Sequence, residues 1–317
     1  MEDQAPYPAL STLAEDLAGI ADAIAPRMVT IDVGGRWRAT GTVWRDGVVV
    51  ASAHAMRDTE HLRVIARGEA SVAAIFGGWD LGTDLAVLKV EGLKAPDLPQ
   101  VNGEAARAVR IGQLVVVMAG AGGDGARARL AMVAAVGPLA RPRRGTRLGR
   151  VFELDTAPFP GYSGGPLVDT RGRIVAINTA RVVRGAALAL PVDLVAPVID
   201  ELLVRGRVAR GYLGVGTQSV RIGRAGATDG TEAWGLLVHA LEPGGPAERA
   251  GALVGDILVS IEGRPLGSPE QLVGELGGAR VGESVRMGVI RGGNSVEIPV
   301  VVGERPARDT GPRCRAR

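Results

Sequence analysis

A mainly β fold with more than one domain is predicted by three features of this sequence. Its 317 residues exceed what a single hydrophobic core usually supports. Aromatic residues make up only 3%, so the core must be built from Val, Leu, Ile and Ala, which suits β-barrels with a small interior. Short segments typical of strands alternate with turns over residues 28–50 and continue over 111–118 and 131–136. We therefore expect two barrels, over residues 28–110 and 111–195.

The segment before the first barrel, residues 1–27, is predicted to contain an amphipathic helix. Apolar residues recur there at spacings of three and four and stop before a proline, at Leu10, Leu13, Leu17, Ile20, Ile24 and Pro26. An apolar stripe of this kind is expected to pack on the protein's own barrel.

A serine lies between glycines in the run Pro-Gly-Tyr-Ser-Gly-Gly-Pro-Leu-Val over residues 160–168. Gly161 and Gly164 permit a tight turn, in which two N–H groups can point the same way beside an exposed Ser163 hydroxyl. That arrangement is how an oxyanion hole is made. Many flexible turns contain Gly-Ser-Gly, but here a hairpin is predicted to follow, with strands over 166–168 and 174–177. Ser163 is therefore expected on a rigid β scaffold.

A nucleophilic serine needs a general base, and the base needs an acid that orients it. Of the three histidines, His54 follows an apolar, strand-like run and is the candidate base. His61 lies in a polar stretch typical of a solvated side chain, and His239 lies in a predicted strand of a later domain. Asp84 directly precedes an apolar strand and is the candidate acid. Asp80 is expected to lie in a loop.

The chain order His54, Asp84, Ser163 resembles that of the chymotrypsin-like serine peptidases, whose fold is a double β-barrel. The local motifs Ala-Ser-Ala-His-Ala, Gly-Thr-Asp-Leu-Ala-Val-Leu and Gly-Tyr-Ser-Gly-Gly-Pro-Leu-Val look like the three signatures of the HtrA (Deg) family of bacterial peptidases. The resemblance extends from about residue 10 to about residue 303. One position departs from the family pattern. Tyr162 stands where the family usually has Asn, and we expect its side chain to point away from the attacking oxygen.

The resemblance implies a serine endopeptidase that degrades unfolded or damaged proteins in protein quality control. It assigns Ser163 as nucleophile, His54 as base and then acid, and Asp84 as the group that fixes the His54 tautomer. The backbone N–H groups of Gly161 and Ser163 would hold the oxyanion. No metal or other cofactor is expected. Four uncharged residues resemble the lining of the family's specificity pocket and favour Val, Ala or similar residues before the cleaved bond: Ala157, Pro158, Ala180 and Ala186.

A second unit is predicted over residues 211–303, after a protease domain over 28–204 and a basic linker over 205–210. Its sequence closely resembles a PDZ domain of the HtrA type, which has an α+β fold. A helix over residues 269–276 should form one wall of the peptide groove, and residues 304–317 are expected to be a disordered basic tail. The carboxylate-binding loop, whose successive N–H groups can hold a peptide C-terminus, is matched by Tyr212, Leu213, Gly214 and Val215.

Composition limits the other classes of function. The net charge is +3 and the pI is about 9.5, a slight arginine excess that does not argue for nucleic acid. The arginine-rich run over 141–147 has no interleaved aromatic residues, so we interpret it as a solvated loop or as the regulatory loop of the family. The single cysteine, Cys314, excludes a disulfide within the chain.

No stretch approaches the ~18 apolar residues of a membrane span, and the start lacks the pattern of a signal peptide. A cytoplasmic location is therefore expected, with the cell envelope or periplasm as the alternative if an export signal was removed. The resemblance implies unfolded proteins or peptides as substrates, C-terminal peptides as partners of the PDZ domain, and a homo-oligomer, a trimer in the family.

Two other classes of function are a proteolytically silent chaperone or PDZ adaptor, and a structural scaffold. The complete set of three candidate catalytic residues argues against both, because a protein that had lost catalysis would have no reason to retain all three.

Overall fold

The computed structural model describes ten stretches of the chain: residues 7–34, 38–56, 59–66, 68–96, 102–120, 126–138, 148–183, 185–222, 233–277 and 280–305. They divide into two compact units, one ending at Val208 and one beginning at Ala209. Within these stretches no helix has the length and apolar character that crossing a membrane requires. The arginine-rich run over 141–147, Cys314 and residues 306–317 of the expected tail lie outside the described residues.

The first seven strands of the chain form one antiparallel sheet. They are β1 (Met28–Asp32), β2 (Arg38–Arg45), β3 (Val48–Ser52), β4 (Arg63–Ala66), β5 (Val72–Ala73), β6 (Ile75–Asp80) and β7 (Leu85–Lys89). Their order in the sheet is β5-β4-β1-β2-β3-β7-β6. Val64 near one end, Phe76 near the other and Val49 in the middle contact a single core, so the sheet curves around its own side chains. Its end strands are not paired with each other in the described part of the chain.

The next six strands form a closed antiparallel barrel in the order β10-β13-β12-β11-β8-β9. Its elements are α2 (Gly103–Ala108), β8 (Leu114–Gly120), β9 (Ala126–Gly137), β10 (Val151–Leu154), β11 (Pro166–Asp169), β12 (Ile174–Thr179), β13 (Leu188–Pro191) and α3 (Val192–Arg205). The core of this barrel is built mostly from Val, Ala, Ile and Leu, with Phe152 as its largest fully buried side chain. The strand-turn-strand expected after Ser163 is present as β11 and β12, and Asp169 closes the turn by accepting bonds from two of its N–H groups.

Helix α1 (Pro8–Ile24) precedes the first sheet and is followed by a 3₁₀ turn over Ala25–Arg27 that contains Pro26. Its C-terminal half packs on the closed barrel, since Ile24 is fully buried and Leu17 and Ile20 contact the barrel core. Leu10 is 63% exposed at its other end. The apolar stripe therefore packs on the protein's own barrel over only part of its length.

The second unit contains a five-stranded antiparallel path, β15-β16-β17-β19-β20, with β18 paired to β17, and a separate pair of β14 with β21. Its elements are β14 (Gly211–Tyr212), β15 (Val215–Ile222), β16 (Ala233–Leu241), α4 (Pro246–Arg249), β17 (Ile257–Ile261), β18 (Arg264–Pro265), α5 (Pro269–Leu276), β19 (Ser284–Arg291), β20 (Asn294–Val301) and β21 (Gly303–Glu304). Helix α5 has the bounds expected from the sequence, and Ser268 begins it with a capping box. Glu304, which we expected to begin the tail, instead pairs with Gly211 and completes β21.

Candidate active site

The Ser163 loop connects β10 to β11 and is held by two glycines that no other residue could replace. Gly164 has φ +88°, and a Cβ on it would lie 2.4 Å from the carbonyl oxygen of Thr40. A Cβ on Gly165 would lie 2.0 Å from the carbonyl oxygen of Met118. The two glycines after the serine therefore allow its backbone to approach a strand of each sheet.

Hydrogen bonds fix this approach on both sides of the loop. The Gly164 N–H donates to the Asn178 carbonyl and the Asn178 N–H donates to the Gly165 carbonyl, both at 2.9 Å. The Thr42 hydroxyl donates to the Gly164 carbonyl at 2.8 Å. Ser163 thus has the rigid β scaffold that its sequence context predicted.

His54 and Asp84 are brought together by the pairing of β3 with β7. His54 lies on a 3₁₀ turn over Ala53–Ala55 directly after β3, and Asp84 directly precedes β7. Its carboxylate accepts two bonds from His54, one from the backbone N–H at 2.9 Å and one from ring Nδ1 at 2.6 Å. Because Nδ1 carries the proton in this bond, Nε2 is the nitrogen left to accept one.

Asp84 is buried and held in an uncommon backbone conformation, with φ +61°. The Thr179 hydroxyl donates to the same carboxylate oxygen as the His54 ring, at 2.7 Å. The Asp84 carbonyl accepts the Ala53 N–H at 2.8 Å. His54 and Thr179 therefore hold the carboxylate, and Ala53 holds the backbone of the same residue.

Asp80, which sequence reasoning placed in a loop, forms hydrogen bonds within the turn before Asp84. The structure puts it at the buried end of β6, where its carboxylate accepts the N–H groups of Gly82 and Thr83 at 3.2 and 2.9 Å and the Thr83 hydroxyl at 2.8 Å. These bonds shape the turn that presents Asp84. The signal for it was the run Asp-Leu-Gly-Thr, in which an aspartate can cap its own turn.

Ser163 and His54 line one open cleft of about 890 Å³. The Ser163 hydroxyl accepts the Ala180 N–H at 3.2 Å. Within the described stretches no hydrogen bond joins this hydroxyl to the His54 ring. In free enzymes such bonds are often long or absent and form only with substrate bound. The other two histidines, His61 and His239, are exposed.

The backbone around Ser163 offers two N–H groups to a ligand. Those of Gly161 and Ser163 make no hydrogen bond to any described residue. Gly161 has φ +86°, and its carbonyl accepts the Thr40 hydroxyl at 2.6 Å. The Tyr162 N–H is used within the loop, since it donates to the Phe159 carbonyl at 3.3 Å. Over residues 160–165, the N–H groups of Gly161 and Ser163 are therefore the two that no described residue uses. They are the two that we expected to form an oxyanion hole.

A second, small cleft adjoins Ser163 and has mostly apolar walls. Ala157, Pro158 and Ala180 line it, as we expected for a specificity pocket. Ala186 does not, because it packs against a neighbouring core, and Ala187 lines the cleft instead. The side chains of successive residues in an extended segment face opposite sides. An assignment that is wrong by one position therefore names a residue that faces the core in place of the one on the cleft wall.

Tyr162 is 9% exposed and belongs to the barrel core. Its hydroxyl accepts a bond from Nε of Arg129 at 3.3 Å, and its ring lies 6.2 Å from that of Phe159. All three residues also line the second cleft. Sequence reasoning expected no charge on these walls. The Arg129 guanidinium in the wall was found only from the structure.

The expected carboxylate-binding loop connects β14 to β15. Leu213 is buried and Gly214 has φ +76°, and neither N–H is used by another described residue. The Tyr212 hydroxyl donates to Glu242, and burial together with this bond raises the pKa of Tyr212 to about 12, so it stays a neutral donor. Among the described residues strand β15 pairs only with β16, and its other edge can accept a peptide strand.

Two protein-family models match this chain. One described as a trypsin-like peptidase domain matches residues 39–177, and one described as a PDZ domain matches residues 237–291. The chain thus combines a trypsin-like peptidase domain with a PDZ domain, and the mainly β fold class expected from the sequence is confirmed.

Curated relatives give the same result at the level of whole sequences. A probable periplasmic serine endoprotease, DegP-like, from Hahella chejuensis is 31% identical over 274 residues, 85% of this chain and 57% of the relative. A protein of the same name from Chlamydia trachomatis serovar D is 31% identical over 86% of this chain and 55% of the relative. The chain spans about half the length of the curated relatives it matches.

Solved structures agree as well. The serine endoprotease from Yersinia pestis aligns with a TM-score of 0.72 and 26% identity, over 91% of this chain and 98% of that chain. The HtrA-type protease AlgW with decapeptide aligns with a TM-score of 0.75 over 92% and 99%, a likeness of fold at 24% identity. The curated relatives are named DegP-like serine endoproteases, in agreement with the resemblance to the HtrA (Deg) family that the three motifs indicated.

Proposed function

We propose that this chain is a serine endopeptidase of the HtrA type that cleaves unfolded or damaged proteins. The observation that carries the proposal is the pair of bonds from His54 to the buried Asp84 carboxylate, made beside the cleft that contains Ser163. A histidine held in this tautomer, next to a serine on a glycine turn, is arranged for nucleophilic acyl transfer.

In the proposed reaction the Ser163 hydroxyl oxygen attacks the carbonyl carbon of the scissile bond, and its proton passes to His54 Nε2. Asp84 stabilises the imidazolium that forms. The carbonyl oxygen becomes an oxyanion that accepts hydrogen bonds from the N–H groups of Gly161 and Ser163. Each donor stabilises the transition state by about 3 kcal/mol. The C–N bond then breaks as His54 returns the proton to the leaving amine, and water repeats the sequence on the acyl-enzyme.

The walls of the second cleft set the proposed preference at P1, the residue before the cleaved bond. Ala157, Pro158 and Ala180 give no carboxylate to a basic side chain, and Arg129 would repel it. Placing an unpaired cation there costs several kcal/mol, whereas Val or Ala needs no partner.

Digestion of unfolded casein, followed by mass spectrometry of the new termini, tests the activity and the pocket together. We expect cleavage mainly after Val, Ala and similar residues, and suppression of all cleavage when the protein is pretreated with a fluorophosphonate. An undigested casein would contradict the peptidase assignment. Termini mainly after Lys or Arg would contradict only the assigned pocket.

The second unit is proposed to bind peptides that end in a free, apolar C-terminus. The free N–H groups of Leu213 and Gly214 can hold the carboxylate, and the open edge of β15 can accept the peptide as a strand. Val215 would provide the next donor along the loop.

A fluorescent peptide with Val at its C-terminus, titrated as free acid and as amide by fluorescence anisotropy, tests this site. The amide should bind roughly 10- to 100-fold more weakly, because hydrogen bonds to a charged acceptor contribute about 1.5–3 kcal/mol. Equal affinities of the two forms would show that the loop does not capture a carboxylate.

Location and assembly are proposed from the relatives. The curated relatives are named periplasmic, which supports the cell envelope rather than the cytoplasmic location expected from the sequence.

We propose a homo-oligomer, for which the 63% exposed Leu10 on the free half of α1 offers an apolar contact.

A further inference from the structure

Arg129 contacts both ends of the turn that precedes Ser163. It lies on β9, and its guanidinium carbon is 3.3 Å from the centre of the Phe159 ring. Its Nε donates to the Tyr162 hydroxyl at 3.3 Å. Phe159 and Tyr162 are themselves the first and last residues of one turn, joined by the Tyr162 N–H to the Phe159 carbonyl. One side chain on a neighbouring strand therefore holds both ends of a four-residue turn.

The residue inside this turn with the greatest freedom is Gly161. It has φ +86°, and a Cβ on it would have no neighbour within 4 Å, so no other residue packs against that side of its backbone. In the described part of the chain its carbonyl accepts a hydrogen bond only from Thr40. The orientation of the Gly161 N–H therefore depends on where the ends of the turn are placed, and Arg129 contacts those ends.

We propose that Arg129 is a positioning residue for the oxyanion hole, acting through Phe159 and Tyr162. The proposal rests on the proposed endopeptidase function and extends it to a residue outside the three motifs. Tyr162, which replaces the usual Asn, provides the acceptor that this arrangement needs. A guanidinium over an aromatic face and a shared hydrogen bond are each modest interactions. Together they bias the turn toward the conformation that leaves both N–H groups free.

The test compares the steady-state kinetics of Arg129→Leu with those of the unchanged protein on a peptide with Ala at P1. Losing both contacts should lower kcat about tenfold, the effect of one weakened transition-state contact, with KM changed less than twofold. Arg129→Lys keeps a cation above Phe159 and should recover part of the loss. Arg127→Leu, two residues away on the same exposed strand, is the matched control and should leave kcat unchanged.

A peptidyl boronic acid with Ala at P1 separates positioning from general damage, because its tetrahedral adduct with Ser163 places an oxygen at the oxyanion site. Its affinity for Arg129→Leu should fall by the same factor as kcat. Tyr162→Phe removes only the acceptor, so combining it with Arg129→Leu should cost no more than Arg129→Leu alone. If Arg129→Leu fails to fold, Tyr162→Phe still measures the shared bond.

An unchanged kcat in Arg129→Leu would overturn the proposal, as would a rise in KM alone, which would make Arg129 a substrate contact. Failure of the proposed function is a different result. In that case the unchanged protein does not cleave the peptide, or cleaves it equally well without the Ser163 hydroxyl.

Discussion

Replacing Ser163 by Ala should abolish cleavage of unfolded casein, with a loss in kcat on the order of 10⁶-fold, because no other group can form the acyl-enzyme. The hydroxyl accepts a single hydrogen bond, from the Ala180 N–H, so the fold should be retained. Peptide binding by the second unit should also be unchanged. Rates from a continuous assay and a thermal unfolding curve measure the two expectations together.

Ser52→Ala provides a matched control for this change. The Ser52 hydroxyl is buried on β3 and has no hydrogen-bond partner within the described residues, so removing it deletes the same atom without deleting a hydrogen bond. Full activity in Ser52→Ala and none in Ser163→Ala would assign the loss to the nucleophile. A fluorophosphonate that labels Ser163→Ala as fast as the unchanged chain would contradict the assignment, and a chain that is never labelled would favour the silent chaperone or adaptor.

The three residues proposed as catalytic could be picked out of the sequence because each lies in a short motif beside a strand, where the backbone has local requirements. Gly164 and Gly165 are needed where the loop approaches Thr40 and Met118. The run from Thr83 into β7 presents Asp84. Such backbone requirements involve only a few neighbouring residues, so they can be recognised in a single sequence.

Contacts between distant segments gave no such signal. Arg129 precedes Tyr162 by 33 positions and lies on an exposed strand, so only the closed barrel brings the two together. Ala187 lines the cleft where we expected Ala186, and the reason is also a contact between distant segments. The two residues are identical neighbours, and only the packing of the chain decides which of them faces the cleft. Asp80 was recognisable as a turn former, but its burial depends on the packing of β6.

Replacing Asp84 by Asn should lower kcat about 10⁴-fold, because the amide selects the wrong histidine tautomer. The carboxylate accepts three hydrogen bonds, from the His54 N–H, from ring Nδ1 and from the Thr179 hydroxyl. An amide has one acceptor oxygen and one donor nitrogen, so it cannot satisfy all three. If its nitrogen faces the ring, Nδ1 must accept, and the proton moves to Nε2, which can then no longer take the Ser163 proton.

Asn is the informative substitution because it tolerates the left-handed backbone at this position, where φ is +61°. Ala would add backbone strain and leave the His54 N–H and the Thr179 hydroxyl without their acceptor, so a loss of activity could reflect a distorted loop. With Asn, the thermal midpoint should fall less than with Ala, while kcat and the rate of fluorophosphonate labelling fall together. A kcat within tenfold of the original would mean that the His54 tautomer is set without Asp84, and the catalytic role of this carboxylate would have to be abandoned.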